Sequence, residues 1–213
     1  MRDIVIALTV AVATICSVCD AAAQRNEVQL SDIPITSLAV RLSDEDASFE
    51  VIDKRMDETA TAAVMFGLIG AAVSSAHTAA QDEETAEPLV ATAESIDLDG
   101  IISQAITERL QARNTVPLAA SADEASNILL VEIGEWGLVR RAQLPDLNMR
   151  AFIKLNISVL DARGRRLFGP QRVHSIGQRT GPMADFTPET FQAEIETLAA
   201  RAGQQVANTI IYR

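Results

Sequence analysis

The sequence predicts an α+β domain, built as an antiparallel sheet with amphipathic helices packed on one face. One observation is the strict alternation of apolar and polar residues over 149–159, which indicates a strand with one buried and one solvent-facing side. The other is the helical spacing of apolar residues over 97–113 and again over 187–213. Because the candidate strands cluster apart from these helices, an α+β domain is favoured over a wound parallel sheet.

The chain begins with the layout of a secretory signal peptide. Arg2 precedes an apolar run over residues 4–18, and Ala21–Ala23 supply the small residues of an A-x-A cleavage site. We therefore predict a signal peptide over residues 1–23 and a single α+β periplasmic domain over residues 24–213. An uncleaved N-terminal anchor is the alternative interpretation of the leader.

Both cysteines of the chain, Cys16 and Cys19, lie in this leader. Cleavage after Ala23 would leave a domain without a disulfide, a thiolate nucleophile or a cysteine-bound metal. Lipid attachment at Cys19 is the alternative, although Val18 stands where a lipoprotein signal usually has Gly or Ala. The predicted location is the periplasm, with membrane association left open and a lipid anchor at Cys19 as the alternative.

The charge of the exported domain excludes one class of partner. Removal of the leader leaves 17 basic and 27 acidic residues, a net charge of −10. This acidic balance argues against general nucleic-acid binding and favours solubility. The length of the remaining chain suits one domain with an aliphatic core.

Two short alternating segments follow the leader. They are "SLAVRL" at 37–42 and "SFEVID" at 48–53, with the turn-like "SDEDAS" between them. Alternating apolar residues on both sides of a polar turn are typical of paired neighbouring strands. We predict a short β-hairpin here.

Residues 59–81 form a stretch without a formal charge. In it, small residues recur at every fourth position, which on a helix makes a smooth ridge where another backbone can come close. We predict a helix or helical hairpin packed on the domain through that ridge. Contact with a partner or membrane surface is one alternative; a membrane span is another, although the strongly apolar part covers only 64–73, about half of the roughly 20 residues needed. The ridge residues are Ala63, Gly67, Ala71 and Ser75.

The second half of the chain gives the clearest elements. The helix "DLDGIISQAITERLQARN" has Asp97 as a predicted N-cap. Three β patterns follow, beginning with "NILLVEIGEWGLVRR", and are predicted to form an antiparallel meander. A closing helix is capped by Thr187, has Pro188 at its first position, and is predicted to lie across the sheet.

Sequence motifs of catalysis are absent. The two histidines, His77 and His174, belong to no zinc-binding pattern, and the chain has no P-loop, dinucleotide fingerprint or nucleophile elbow. We therefore predict a protein that is not an enzyme, with no cofactor, no metal and no small-molecule substrate. The alternative is a hydrolase whose site is assembled from scattered residues, with a histidine meeting carboxylates.

Charge is segregated along the chain. Residues 24–139 contain 6 basic and 21 acidic side chains, whereas residues 140–179 contain 9 basic and 2 acidic ones. The basic meander is either neutralised by the acidic half of the same molecule or exposes a face to an anionic partner. Arginine dominates, which suits bidentate contacts with carboxylate or phosphate. The candidate anionic-partner face comprises Arg150, Lys154, Arg163, Arg165 and Arg166.

Three segments of the second half also suggest a family. They are the strand "ILLVEI", the strand-turn-strand "IKLNISVLDARGRRLF" and the closing helix "LAARAGQQVANTI". In these segments the region from Asp97 to Arg213 resembles small bacterial envelope lipoproteins, including auxiliary lipoproteins of ABC-type lipid transporters. The resemblance implies action by binding and assembly rather than catalysis. We expect an exported cell-envelope protein that binds an envelope protein or an anionic lipid surface, as an accessory part of a transport or assembly system.

Overall fold

The computed structural model describes residues 29–53, 63–66, 80–140 and 148–213. The predicted signal peptide with its two cysteines lies outside these ranges, as do His77 and three of the four predicted ridge residues. The described strands are β1 (Leu38–Ser43), β2 (Ser48–Asp53), β3 (Ala63–Phe66), β4 (Asn127–Arg140), β5 (Met149–Asp161) and β6 (Arg166–Ile176), and the α-helices are α1 (Ala80–Ala93), α2 (Leu98–Arg113) and α3 (Pro188–Ile211).

The strands form one mixed sheet in the order β3-β2-β4-β5-β6, with β1 also beside β4. The pairs β4–β5 and β5–β6 are antiparallel, which confirms the predicted meander. The helices contact one face of this sheet, so the predicted α+β class is confirmed. Short 3-10 turns precede β1 at Leu30–Asp32, β4 at Ala122–Glu124 and α3 at Met183–Asp185.

The predicted hairpin of β1 and β2 is wrong. Both strands run parallel to β4, with Leu38 opposite Asn127 and Ser48 opposite Glu135. The backbone N–H of Ala47 donates to the carbonyl of Asp44 at 2.9 Å, in a turn from which the chain continues along β4. Two short strands in line satisfy the backbone groups along one side of the 14-residue β4, which neither could do alone.

The predicted helix over 59–81 is wrong at residues 63–66, whereas its last two residues, Ala80 and Gln81, begin α1. Residues 63–66, which include the ridge residue Ala63, form β3 and pair antiparallel with β2, with Phe66 opposite Phe49. Val64 and Phe66 are residue types that favour strands, and β2 offers a free edge on the side away from β4. Gly67, Ala71 and Ser75 lie outside the described residues.

The core lies between the sheet and the helices. Both predicted caps are confirmed, and every residue of the apolar stripe predicted for α3 is buried. The stripe residues are Phe191, Ile195, Leu198, Ala202, Val206 and Ile210. The Asp97 side chain accepts from the Gly100 N–H at 2.9 Å, and the Thr187 hydroxyl accepts from the Thr190 N–H at 3.4 Å. Within the core, aromatic edge contacts at 5.3 and 5.7 Å join Phe49 to Trp136 and Phe191.

Across the described ranges, no helix combines the length and apolar character that a membrane crossing requires.

The face of β5 that points away from the core is less exposed to solvent than the alternation of apolar and polar residues predicts. Arg150, Lys154 and Asn156 are half-buried there, but Ser158 is fully buried. Ser158 lies against the β6 backbone at Gly169, where a register shift between the two strands brings β6 close. The β6 irregularity therefore covers one end of the face that the sequence pattern leaves open to solvent.

Candidate functional site

The turn between β5 and β6 carries three exposed arginines. Asp161 organises it: one carboxylate oxygen accepts from the backbone N–H groups of Arg163 and Arg165, both at 2.9 Å. Its other oxygen accepts from Arg165 Nε at 2.7 Å, and Gly164 takes the left-handed conformation that the turn requires. These hydrogen bonds, above all that from the Arg165 backbone, lower the pKa of Asp161. The turn thus holds Arg163, Arg165 and Arg166 at the surface.

A groove of about 860 Å³ lies beside this turn. It runs between the start of β6, the N-terminal 3-10 turn and the end of α3. Arg166 and Arg213 line it, and no Asp, Glu or His is among its lining residues. The groove is lined by Gln29, Leu30, Ser31, Arg166, Leu167, Phe168, Gly169, Pro170, Gln171, Thr209, Tyr212 and Arg213. We call the two lining arginines, together with Arg163 and Arg165 of the adjacent turn, the basic end.

The groove combines an apolar floor with a polar rim. Leu30 is buried, while Leu167 and Phe168 are half-buried in the outer strand. Tyr212 is 66% exposed and is the large apolar side chain most open to solvent in the described part of the chain. An aromatic ring with a polar tip beside arginines suits the boundary between an apolar and an aqueous phase.

The predicted anionic-partner face does not form one patch. Arg150 lies at the opposite end of β5, where its Nε donates to Thr180 Oγ at 2.7 Å. Ten residues separate Arg150 from Leu160, which is paired with Arg166, so the two arginines lie roughly 33 Å apart at about 3.3 Å per residue. Arg163, Arg165 and Arg166 lie together, and Arg150 does not belong with them.

Lys154 is neutralised within the molecule. It forms an ion pair with Glu135, which lies at the irregular point of β4, and its ammonium lies 5.6 Å from the ring centre of Phe152. Glu50 on β2 is near enough to interact with both charges. Burial, followed by the charge of Glu135, raises the pKa of Glu50, whereas Lys154 lowers it. For Lys154, intramolecular neutralisation therefore describes the structure better than docking.

His174 lies on β6 directly opposite Lys154 and is exposed. Its ring makes an edge contact with Phe152 at 6.4 Å between centroids. It does not line the groove, and no group of three or more His, Cys, Asp or Glu side chains in the described ranges has the geometry of a metal site.

Tyr212 and Arg213 are site residues that the sequence interpretation missed. They follow Ile210, the last buried position of the α3 stripe, so an aromatic residue and a cation just beyond that stripe are the available signal. Their position beside Arg166 depends on the length of α3 and on how β6 pairs, which the local pattern does not specify.

No protein-family model matches the chain, and no curated protein matches it. Among solved structures, it is similar to a minor lipoprotein from Acinetobacter baumannii, with 9% identity, a TM-score of 0.45, and coverage of 83% of this chain and 93% of that one. It is also similar to a protein from Xanthomonas campestris, with 12% identity, a TM-score of 0.40 and coverage of 84% and 86%. A third similar structure is the uncharacterised lipoprotein B from Nitrosomonas europaea, with 11% identity, a TM-score of 0.37, and coverage of 86% of this chain and 84% of that one. The chain therefore resembles bacterial lipoproteins in structure, at a level that assigns no role.

Proposed function

We propose that this chain is an exported, non-enzymatic protein of the bacterial cell envelope that binds an anionic partner through its basic end. The observation that carries the proposal is the convergence of Arg166 and Arg213 on a groove whose lining residues include no Asp or Glu. Exposed guanidinium groups with no acid between them favour an anionic ligand, and their planar donors suit bidentate contact with carboxylate or phosphate.

Binding is supported over hydrolysis by where the titratable groups lie. A hydrolase built from scattered residues needs a histidine and a carboxylate converging in a concave site. The described groove is lined by neither, while His174 lies on β6 opposite Lys154. The predicted leader over residues 1–23 supports the envelope location. The accessory role in envelope transport or assembly, which the sequence resemblance implies, belongs to the same proposal.

A pull-down from envelope extracts tests the basic end. The bait is the protein as the cell processes it, compared with the triple variant Arg163→Glu, Arg166→Glu, Arg213→Glu. We expect the variant to lose the bound protein or lipid while its circular dichroism spectrum and melting temperature stay close to wild type. The matched control is Arg150→Glu, which reverses a charge on the same hairpin far from the groove and should retain the partner.

Two results would overturn the proposal. One is equal capture by wild type and the triple variant. The other is unfolding of the triple variant while Arg150→Glu folds normally, which would mean that the basic end is neutralised inside the molecule. Mass spectrometry of the native N-terminus tests the location: a start at Gln24 supports periplasmic export, and a diacylated Cys19 supports the lipid-anchored alternative.

A further inference from the structure

The basic end lies where the N-terminal segment joins the domain. Gln29 is the first described residue and lines the groove beside Arg166 and Arg213. The 28 residues before it include the apolar run over 4–18 and Cys19. The nine residues between Cys19 and Gln29 extend to at most about 35 Å at roughly 3.5 Å per residue. An anchor of either kind would hold this end of the domain close to a bilayer.

Resting on the proposed function, we infer that the anionic partner is the surface of a phospholipid bilayer, with the groove facing the membrane. Arg166 and Arg213 contact lipid phosphates, and the Tyr212 ring lies at the headgroup level, where tyrosine is enriched in membrane proteins. The half-buried Leu167 and Phe168 give the groove an apolar floor below these polar contacts.

The charge distribution of the domain fixes its orientation. The chain as a whole carries a net charge of −11, so an anionic membrane repels the molecule overall. The basic end is an exception, because Arg163, Arg166 and Arg213 lie together there beside Arg165, whose charge is paired with Asp161. Repulsion of the acidic part and attraction of the basic end both turn the groove toward the bilayer. Such binding is electrostatic at long range and weakens as salt rises.

Vesicle sedimentation tests this inference with the protein as the cell processes it. The probes are vesicles of phosphatidylcholine alone and of phosphatidylcholine mixed with phosphatidylglycerol. We expect tighter binding to the mixed vesicles than to phosphatidylcholine alone, and loss of that difference in high salt. Because a basic residue near an anionic surface contributes roughly five-fold in affinity, loss of two should cost about 25-fold, and the Arg166→Glu, Arg213→Glu variant should bind at least that much more weakly. Arg150→Glu is the control and should bind like wild type.

Tyr212→Ser should weaken binding to the mixed vesicles without changing its salt dependence, because it removes an interfacial ring and no charge. If the double glutamate variant fails to fold, Arg166→Gln, Arg213→Gln replaces it, and a loss of binding is again expected. Equal binding to both vesicle types, no binding to either, or an equal loss in Arg150→Glu would overturn the inference. If vesicles are not bound but the pull-down still depends on the basic end, the partner is an acidic protein and the proposed function stands. If neither depends on it, both are wrong.

Discussion

Gly203 of α3 faces the backbone carbonyl of Ile102 in α2 so closely that an added Cβ would lie 2.7 Å from that oxygen and 2.8 Å from the Ala105 Cβ. Ala199 and Ala207, one turn on either side of Gly203, are also buried. Further along, Arg109 Nε donates to Asn208 Oδ1 at 3.0 Å, so the two helices run in the same direction. A row of small residues on α3 therefore sets how near α2 can approach.

Gly203→Ala should destabilise the domain. The substitution favours the helix by about 1 kcal/mol through propensity alone. Against this, overpacking of a close contact costs roughly 1–3 kcal/mol, because backbone must move. We expect a net loss of about 1 kcal/mol in the free energy of unfolding, measured by urea denaturation.

Ala193→Gly is the matched control for this prediction. Ala193 is exposed on the same helix, so its replacement reports propensity alone and should also destabilise, by about 1 kcal/mol. If helix propensity governed both positions, the two substitutions would change the free energy of unfolding in opposite directions. A gain in stability for Gly203→Ala would show that α2 and α3 are not held as closely as the structure indicates.

This small-residue row shows what the sequence specifies and what it leaves open. Spacing at every fourth residue predicted a ridge at Ala63, Gly67, Ala71 and Ser75, yet Ala63 lies in a strand and an equivalent row packs in α3. The spacing states only that a helix, once formed, can be approached closely. Whether the segment is a helix depends on partners elsewhere, here the free edge of β2.

Long-range pairing explains the other differences. The meander and the caps were predictable because neighbouring residues determine them, as at Asp97 and Thr187. The hairpin prediction was wrong because β1 and β2 pair with β4, about 89 residues later. The three turn arginines, Arg163, Arg165 and Arg166, were evident in the sequence. Their grouping with Tyr212 and Arg213, and the separation from Arg150, follow from strand length and register.

Asp97→Ala should weaken the start of α2. The Asp97 carboxylate accepts from the Gly100 N–H at 2.9 Å, and loss of such a cap typically costs about 1 kcal/mol. Asp97→Asn keeps an acceptor and serves as control. It also removes a charge that contributes, after burial and Asp44, to the raised pKa of Asp99, so its stability near neutral pH should equal or exceed wild type. Equal losses in both variants, measured by urea denaturation, would contradict the capping role.

The hydrogen bonds that hold the turn at Asp161 should persist below the pH at which an ordinary aspartate becomes protonated. Because hydrogen bonds from Arg165 and Arg163 lower the pKa of Asp161, its folded value lies below the unfolded one. The stabilisation is therefore present above the unfolded value, about 3.9, and is lost as pH falls through the folded value. In an NMR titration the amide protons of Arg163 and Arg165 should shift only below the ordinary Asp range. Asp161→Asn should abolish that titration, and a midpoint at or above the ordinary value would refute the prediction.

Glu50 should make the domain less stable as pH rises through the mildly acidic range. It is only 6% exposed on β2, and burial and Glu135 raise its pKa despite opposing effects of Lys154 and Ser48. The folded state therefore holds the proton more tightly than the unfolded state. By linkage, stability is highest below the unfolded pKa and falls as pH rises through the interval up to the folded pKa.

Glu50→Gln removes this ionisable group and should flatten that part of the stability profile. Relative to wild type, the variant should be more stable near neutral pH and gain nothing near pH 4, as measured by urea denaturation across the range. Glu124→Gln removes the same charge from an exposed position and is the control, with no expected change in slope. Lys154→Met should steepen the wild-type decline, because it removes the cation that lowers the pKa of Glu50. A Glu50→Gln protein that is less stable than wild type at neutral pH would mean that attraction to Lys154 outweighs burial.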